Sequence, residues 1–274
     1  MAQLIVFTDL DGTLLEHQSY SWRAAEPALK ELRRRRVPVV LCTSKTRAEI
    51  LPLREELKVD DPFVAENGGA VYVPRNYFPF PLPAARKEAD AEVLELGVAY
   101  QKLTQALEEA AETSGVRVRG FSRMTDKEVA KLCGLPLAEA RRARQREFDE
   151  PFLLEKGTAK QKEKFFNWLQ QRGLRWREGG RFLHLMGDND KGVAVRRLQE
   201  LFQKKYSAIR SVGLGDSPND LDFLAAVDIP VLLPNPDGGH DAEMRRRLPA
   251  ARLAPRPGSA GWNDAIEAIL ESAR

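Results

Sequence analysis

The chain opens on an unbroken apolar run, Leu4-Ile5-Val6-Phe7, that passes through Thr8 into Asp9-Leu10-Asp11-Gly12-Thr13. Apolar runs of this length, closed by turn residues, suit a strand buried on both faces of a parallel sheet. Ala25, Leu29 and Leu32 then recur at helical spacing and predict a helix over Trp22–Arg36. A second apolar run, Val37–Cys42, a helix over Thr46–Leu57 carrying Ile50, Leu53 and Leu57, and the short strand Phe63–Ala65 follow. This β-α-β-α-β rhythm predicts a doubly wound sheet with right-handed crossovers.

The rhythm breaks at Pro74, where Pro79, Pro81 and Pro83 sit among aromatic residues in what reads as an extended connection. Beyond it, strands are expected around 92–98, 116–121, 148–154, 174–178 and 181–186, with helices around 100–114 and 137–146. Gly179-Gly180 signals a hairpin between the last two strands. The α/β rhythm resumes with a helix over Gly192–Lys204, a strand at Val212–Leu214, a helix over Leu221–Ala226, a strand at Ile229–Leu233 and a closing helix from Ala260 to Ala273. The fold class is therefore α/β. A doubly wound parallel-sheet core, residues 1–82 and 188–274, is interrupted by an inserted α+β domain, residues 83–187.

Composition narrows the picture only by exclusion. The 43 Lys and Arg against 40 Asp and Glu leave +3, too balanced for a nucleic-acid binder. The run Arg33–Arg36 ends a predicted helix, where cations oppose the dipole and stay solvated. Two cysteines, Cys42 and Cys133, read as buried thiols rather than a disulfide framework. No basic segment precedes the first apolar run, and no apolar stretch approaches the ~20 residues of a membrane span. A cytoplasmic monomer or homodimer, with neither membrane nor nucleic acid as partner, is the expectation.

Asp9 and Asp11 lie at the carboxyl end of the first predicted strand, where open α/β sheets place ligands. On extended chain, residues two apart point the same way, so both carboxylates can face one centre. An acidic turn would explain this cluster alone. A second one at an equivalent strand end, Gly215-Asp216-Ser217-Pro218-Asn219-Asp220, makes that reading insufficient. Phosphoryl transfer needs a nucleophile, a proton donor, a cation, and donors around the phosphoryl oxygens. Asp9 and Asp216 supply carboxylates of the kind Mg²⁺ prefers. Thr43 offers a hydroxyl and a backbone amide, and Lys191 a positive point charge.

Asp9-Leu10-Asp11-Gly12-Thr13, Thr43, Lys191 and Gly215-Asp216-x-x-Asn219-Asp220 resemble the four motifs of the haloacid dehalogenase-like phosphatases, and the insertion resembles that superfamily's larger cap. The resemblance implies Asp9 as the nucleophile that becomes aspartyl-phosphate. It implies Asp11 as the acid that protonates the leaving alcohol and then the base that activates water. Mg²⁺ would sit on the Asp9 carboxylate, the Asp11 main-chain oxygen and Asp216, with Asn219 and Asp220 orienting the ligands and Lys191.

A narrower resemblance, to the mannosyl-3-phosphoglycerate phosphatases, rests on Thr43-Ser44-Lys45-Thr46-Arg47, Glu66-Asn67-Gly68-Gly69, Arg146-Glu147-Phe148-Asp149-Glu150, Gly179-Gly180-Arg181-Phe182-Leu183-His184, Asp190-Lys191-Gly192 and Pro257-Gly258-Ser259-Ala260-Gly261. Phe148 stands where a tyrosine is common. The resemblance implies a phosphorylated-sugar substrate, read by Ser44, Lys45, Glu66, Asn67, Gly68, Arg146, Arg181 and His184. A glycerate carboxylate calls for bidentate donors such as Arg146 and Arg181. Arg146 also suits the end of its predicted helix, and His184 a satisfied strand histidine. Another sugar phosphate, such as sucrose phosphate, and phosphoryl transfer between sugar positions are the alternatives.

Overall fold

The computed structural model describes residues 2–179 and 181–272. Gly180 of the expected hairpin and the Ala273 end of the expected closing helix lie outside the described residues. The larger sheet is built from β1 (Gln3–Thr8), β2 (Val39–Cys42), β3 (Phe63–Ala65), β4 (Ala70–Pro74), β5 (Arg86–Lys87), β6 (Ala91–Glu95), and, after a long excursion, β11 (Ile209–Gly215), β12 (Ile229–Leu232) and β13 (Arg252–Leu253). Its order is β13-β12-β11-β1-β2-β3-β4-β6-β5. The first six run parallel, and β4, β6 and β5 close the edge antiparallel.

The reason β1 reads as a continuous apolar run is visible in where its side chains go. Val6 packs on one face with α1 (Glu26–Arg34), α2 (Arg47–Leu57) and the final helix α10 (Gly258–Ser272). Ile5 and Phe7 pack on the other with α7 (Lys191–Tyr206) and α8 (Leu221–Leu224). Helices on both faces leave no polar side for alternation to mark.

The excursion forms a four-stranded antiparallel sheet, β7-β8-β10-β9, from β7 (Arg117–Gly120), β8 (Asp149–Lys156), β9 (Arg175–Gly179) and β10 (Phe182–Met186). One face carries α3 (Tyr100–Ser114) and α6 (Ala159–Gln170), whose Leu103, Leu107, Phe165 and Leu169 are buried. The other carries α4 (Asp126–Cys133) and α5 (Leu137–Ala143) around Phe121, Val129 and Phe182. The remaining helix, α9 (Ala242–Arg247), packs Met244 under the larger sheet.

Several expectations shift. The boundary read at residues 82 and 83 precedes β5 and β6, which join the larger sheet, so sheet membership changes after Glu95. The Pro-rich stretch is not a linker but a strap. Its Phe78 and Leu82 are buried under the larger sheet, with the Phe78 ring 5.4 Å from that of Phe202. β4, β5, β13, α4, α6 and α9 have no counterpart in the sequence reading. α4 and α6 begin on capping boxes at Thr125 and Thr158, whose Glu128 and Gln161 partners were the available signal. The helix expected to reach Arg146 stops at Ala143. Cys42 is buried, but Cys133 is only half-buried. Within the arginine run, Arg34 and Arg35 bond Glu31, and Arg33 donates to the Leu57 carbonyl. Among the described residues no helix is long and apolar enough to cross a membrane.

Candidate active site

Crossover connections make adjacent parallel strands end on the same edge of the sheet. The carboxyl ends of β1, β2 and β11 and the start of α7 therefore bring four distant segments together. Lys191 Nζ lies 2.7 Å from Asp9 Oδ1 and 2.7 Å from Asp220 Oδ1, and all three residues are buried. Asp216, just past β11, accepts a hydrogen bond from the Thr13 hydroxyl at 2.9 Å. Asp220 turns its other oxygen to the amides of Asp216 and Ser217. Asn219 has a more local task than expected, accepting from the Ser217 hydroxyl.

Gly12 is needed at its position twice over. Its φ is +81°, and a Cβ there would stand 2.6 Å from Asp216 Oδ2. Gly68 (φ +94°) is similar: a Cβ would meet the Asp190 main chain at 2.4 Å. The turn Glu66-Asn67-Gly68 thus seats directly on the start of α7, where Lys191 begins.

Charge in this pocket is unbalanced. Asp9, Asp216 and Asp220 offer carboxylate oxygens within 4.8 Å of one another. Lys191 is the cation they share. Burial, with repulsion from Asp220, holds the Asp9 carboxyl well above its ordinary range. The same two causes push Asp216 up to about 6. Burial works against the Lys191 ammonium, yet Asp220 and Asp9 outweigh it and keep it charged. A site so acidic, with Asp220 already committed to Lys191 and two amides, fits a divalent cation on Asp9 and Asp216, the residues that keep free lone pairs. Asp9 Oδ2 makes no hydrogen bond among the described residues, and Asp11 Oδ1 is buried without a partner. Asp11 Oδ2 is held by Lys45 Nζ at 2.7 Å.

Thr43 is brought to the same edge, but its amide donates to the Val64 carbonyl and is not free for an anion. Its hydroxyl accepts from the Lys45 amide and keeps its own proton to donate. The sheet's need to pair β2 with β3 decides this, and the motif alone did not reveal it.

The residues expected to read a substrate divide sharply. Lys45 faces Asp11. Glu66 does not face the centre: it is fully buried, and its carboxylate accepts from the amides of Glu147 and Phe148 at 2.8–3.2 Å. Burial pushes its carboxyl up to about 7. Asn67 donates its main-chain N–H to the Thr43 carbonyl, while its buried side-chain Oδ1 has no partner. Arg146 donates to the carbonyls of Ala143 (2.8 Å) and Ser44 (3.0 Å) and pairs with buried Asp149 at 3.4 Å. It closes α5, as the simpler reading had it, and ties that helix to the loop after β2. His184 Nδ1 lies 2.8 Å from the same Asp149, which makes it a satisfied strand histidine. Arg181 is exposed and donates to the Leu132 carbonyl at the end of α4. Phe148 is buried in the core of the larger sheet.

Three further residues hold this architecture and carried no assignment in the sequence. Thr13 fixes Asp216. Asp149 gathers Arg146 and His184. Asn189 donates to the carbonyls of Glu66 (3.1 Å) and Phe148 (2.9 Å), pinning the point where the chain returns from the small sheet. Only Thr13 had a local signal, its place two residues after Asp11.

Residues 6–90 match the haloacid dehalogenase-like hydrolase family. A glucosyl-3-phosphoglycerate/mannosyl-3-phosphoglycerate phosphatase of Methanococcoides burtonii is 40% identical over 269 residues, 97% of each chain. A mannosyl-3-phosphoglycerate phosphatase of Pyrococcus furiosus is 37% identical over 84% of this chain and 90% of its own. The solved structure of a haloacid dehalogenase-like hydrolase from Bacteroides thetaiotaomicron superposes with a TM-score of 0.66 at 18% identity, covering 98% of this chain and 100% of its own. The chain belongs to the mannosyl-3-phosphoglycerate phosphatase family, phosphoric monoester hydrolases of the haloacid dehalogenase-like superfamily.

Proposed function

We propose that the protein hydrolyses a glycosyl-3-phosphoglycerate, mannosyl or glucosyl, to the glycosylglycerate and phosphate, with Asp9 as nucleophile. The observation that carries this is the pairing of Asp9 with Asp11. Lys191 fixes one oxygen of Asp9 and leaves Oδ2 open, while Asp11 keeps Oδ1 buried and unpartnered beside it. Asp9 Oδ2 attacks phosphorus as Asp11 delivers a proton to the leaving alcohol oxygen. Asp11 then takes a proton from the water that cleaves the phosphate from Asp9. Lys191 and the Thr43 hydroxyl offset charge on the phosphoryl oxygens. Mg²⁺, held by Asp9, Asp216 and the main-chain oxygen of Asp11, would neutralise more of that charge. The small sheet with its helices serves as the cap that reads the rest of the substrate. The relatives' substrates and the acidic, cation-fitting site both support this reading.

Phosphate release from a panel of sugar phosphates, including both glycosyl-3-phosphoglycerates, tests it. Asp9→Asn keeps the shape and removes the nucleophile, so turnover disappears while circular dichroism is unchanged. Substantial turnover by that variant, or full activity in excess chelator, overturns the mechanism.

A further inference from the structure

With Arg146, Arg181 and His184 committed to protein partners, the recognition of a glycerate carboxylate and a sugar needs other groups. A cleft of about 380 Å³ is lined by Lys45, whose ammonium pairs with Asp11. One wall is α2, through Glu49 and Leu53; the other is formed by the α4–α5 turn and by Glu139 and Arg142 of α5. The walls are fastened by the Thr46 hydroxyl on the Arg142 carbonyl (3.0 Å) and by Arg146 on the Ser44 carbonyl (3.0 Å).

Of the charged groups on the α2 side of the cleft, Lys45 pairs with Asp11 and Glu49 accepts from Thr46, while exposed Glu56 has no partner among the described residues. Arg141 and Arg144 both hold Asp126. On the α5 wall, among the described residues, neither Arg142 nor Glu139 makes a side-chain hydrogen bond or ion pair. They stand three apart on one helix, a spacing at which opposite charges often meet. A half-buried cation and an exposed carboxylate, both without protein partners, therefore line a cleft that also holds Lys45, the ion-pair partner of Asp11.

Resting on the reading of a glycosyl-3-phosphoglycerate substrate, we propose that Arg142 and Glu139 are specificity-determining residues, Arg142 binding the glycerate carboxylate and Glu139 accepting hydrogen bonds from sugar hydroxyls. In that substrate the carbon next to the phosphorylated one bears both the carboxylate and the sugar. Two complementary groups side by side, in a cleft shared with the lysine that holds Asp11, match this branching. Arg142 is tied through its carbonyl to Thr46, in the loop that follows Thr43. Glu139 stands three residues before Arg142 on the same helix, about 4.5 Å along the axis. An arginine reads a carboxylate through paired donors, and a carboxylate is a strong acceptor for hydroxyls.

The test measures kcat and KM of parent, Arg142→Ala, Arg142→Lys and Glu139→Gln on four compounds: mannosyl-3-phosphoglycerate, the mannosylglycerol phosphate that lacks its carboxylate, 3-phosphoglycerate, and p-nitrophenyl phosphate. Arg142→Ala should lower kcat/KM on mannosyl-3-phosphoglycerate roughly ten- to a hundredfold, mainly through KM, and abolish the parent's preference for the carboxylate-bearing sugar substrate. Arg142→Lys should restore part of it. Glu139→Gln should lose selectively on the two mannosylated compounds. Losses on p-nitrophenyl phosphate should be at least tenfold smaller in each case. Equal losses on all four compounds, or none on any, overturn the assignment. A parent inactive on both mannosyl- and glucosyl-3-phosphoglycerate overturns the functional reading and this inference together, whereas an active parent with unselective variants overturns only the inference.

Discussion

Glu66 offers a stability test whose sign changes with pH. Its carboxylate is buried at the junction of the two sheets, accepting the Glu147 and Phe148 amides, and burial lifts its pKa from 4.5 to about 7. Unfolding restores the ordinary value. The stability this group contributes as a neutral acid is fully present below pH 4.5 and is lost as pH rises through 7. A shift of about 2.5 units corresponds to about 3 kcal/mol. Glu66→Gln cannot ionise, and it keeps one acceptor oxygen of two, at a cost of about 1 kcal/mol. The variant should therefore be less stable than the parent by about 1 kcal/mol at pH 4 and more stable by about 2 kcal/mol at pH 8.5. Urea denaturation of both proteins at the two pH values measures the difference. A difference that is constant across this range, or that falls as pH rises, refutes the argument that burial controls this carboxyl.

Lys191→Met should destabilise the fold by about 3–5 kcal/mol in urea titrations, because it leaves two buried carboxylates without their cation. Its turnover should fall on the order of a hundredfold or more, and a rate within about threefold of the parent would show that the ammonium has no part in the chemistry. Gly12→Ala forces a side chain into a left-handed backbone position and against Asp216 Oδ2, so it should lower both thermal stability and turnover; an unchanged melting temperature would mean that the turn relaxes freely.

The assembly of the candidate site was legible in the sequence because it sits on local patterns. Leu4–Phe7 had to be a doubly buried strand, and Asp9 and Asp11 had to leave its end on the same side. Asp216 and Lys191 stood at equivalent strand and helix ends, where parallel topology gathers side chains whatever separates them in the chain. Recognition was another matter. Arg142, Arg146 and Arg181 are alike in sequence: long cations in polar surroundings within the inserted region. Which of them stays free depends on partners far along the chain, the Ser44 carbonyl 102 residues from Arg146 and the Leu132 carbonyl 49 from Arg181. Likewise Glu66 looked like a ligand-binding acid until the amides of residues 81 and 82 positions away closed on it. A strand's burial is set by its own periodicity, but a flexible charged side chain takes whichever partner the packed elements bring within reach. That choice was made only when the two sheets came together.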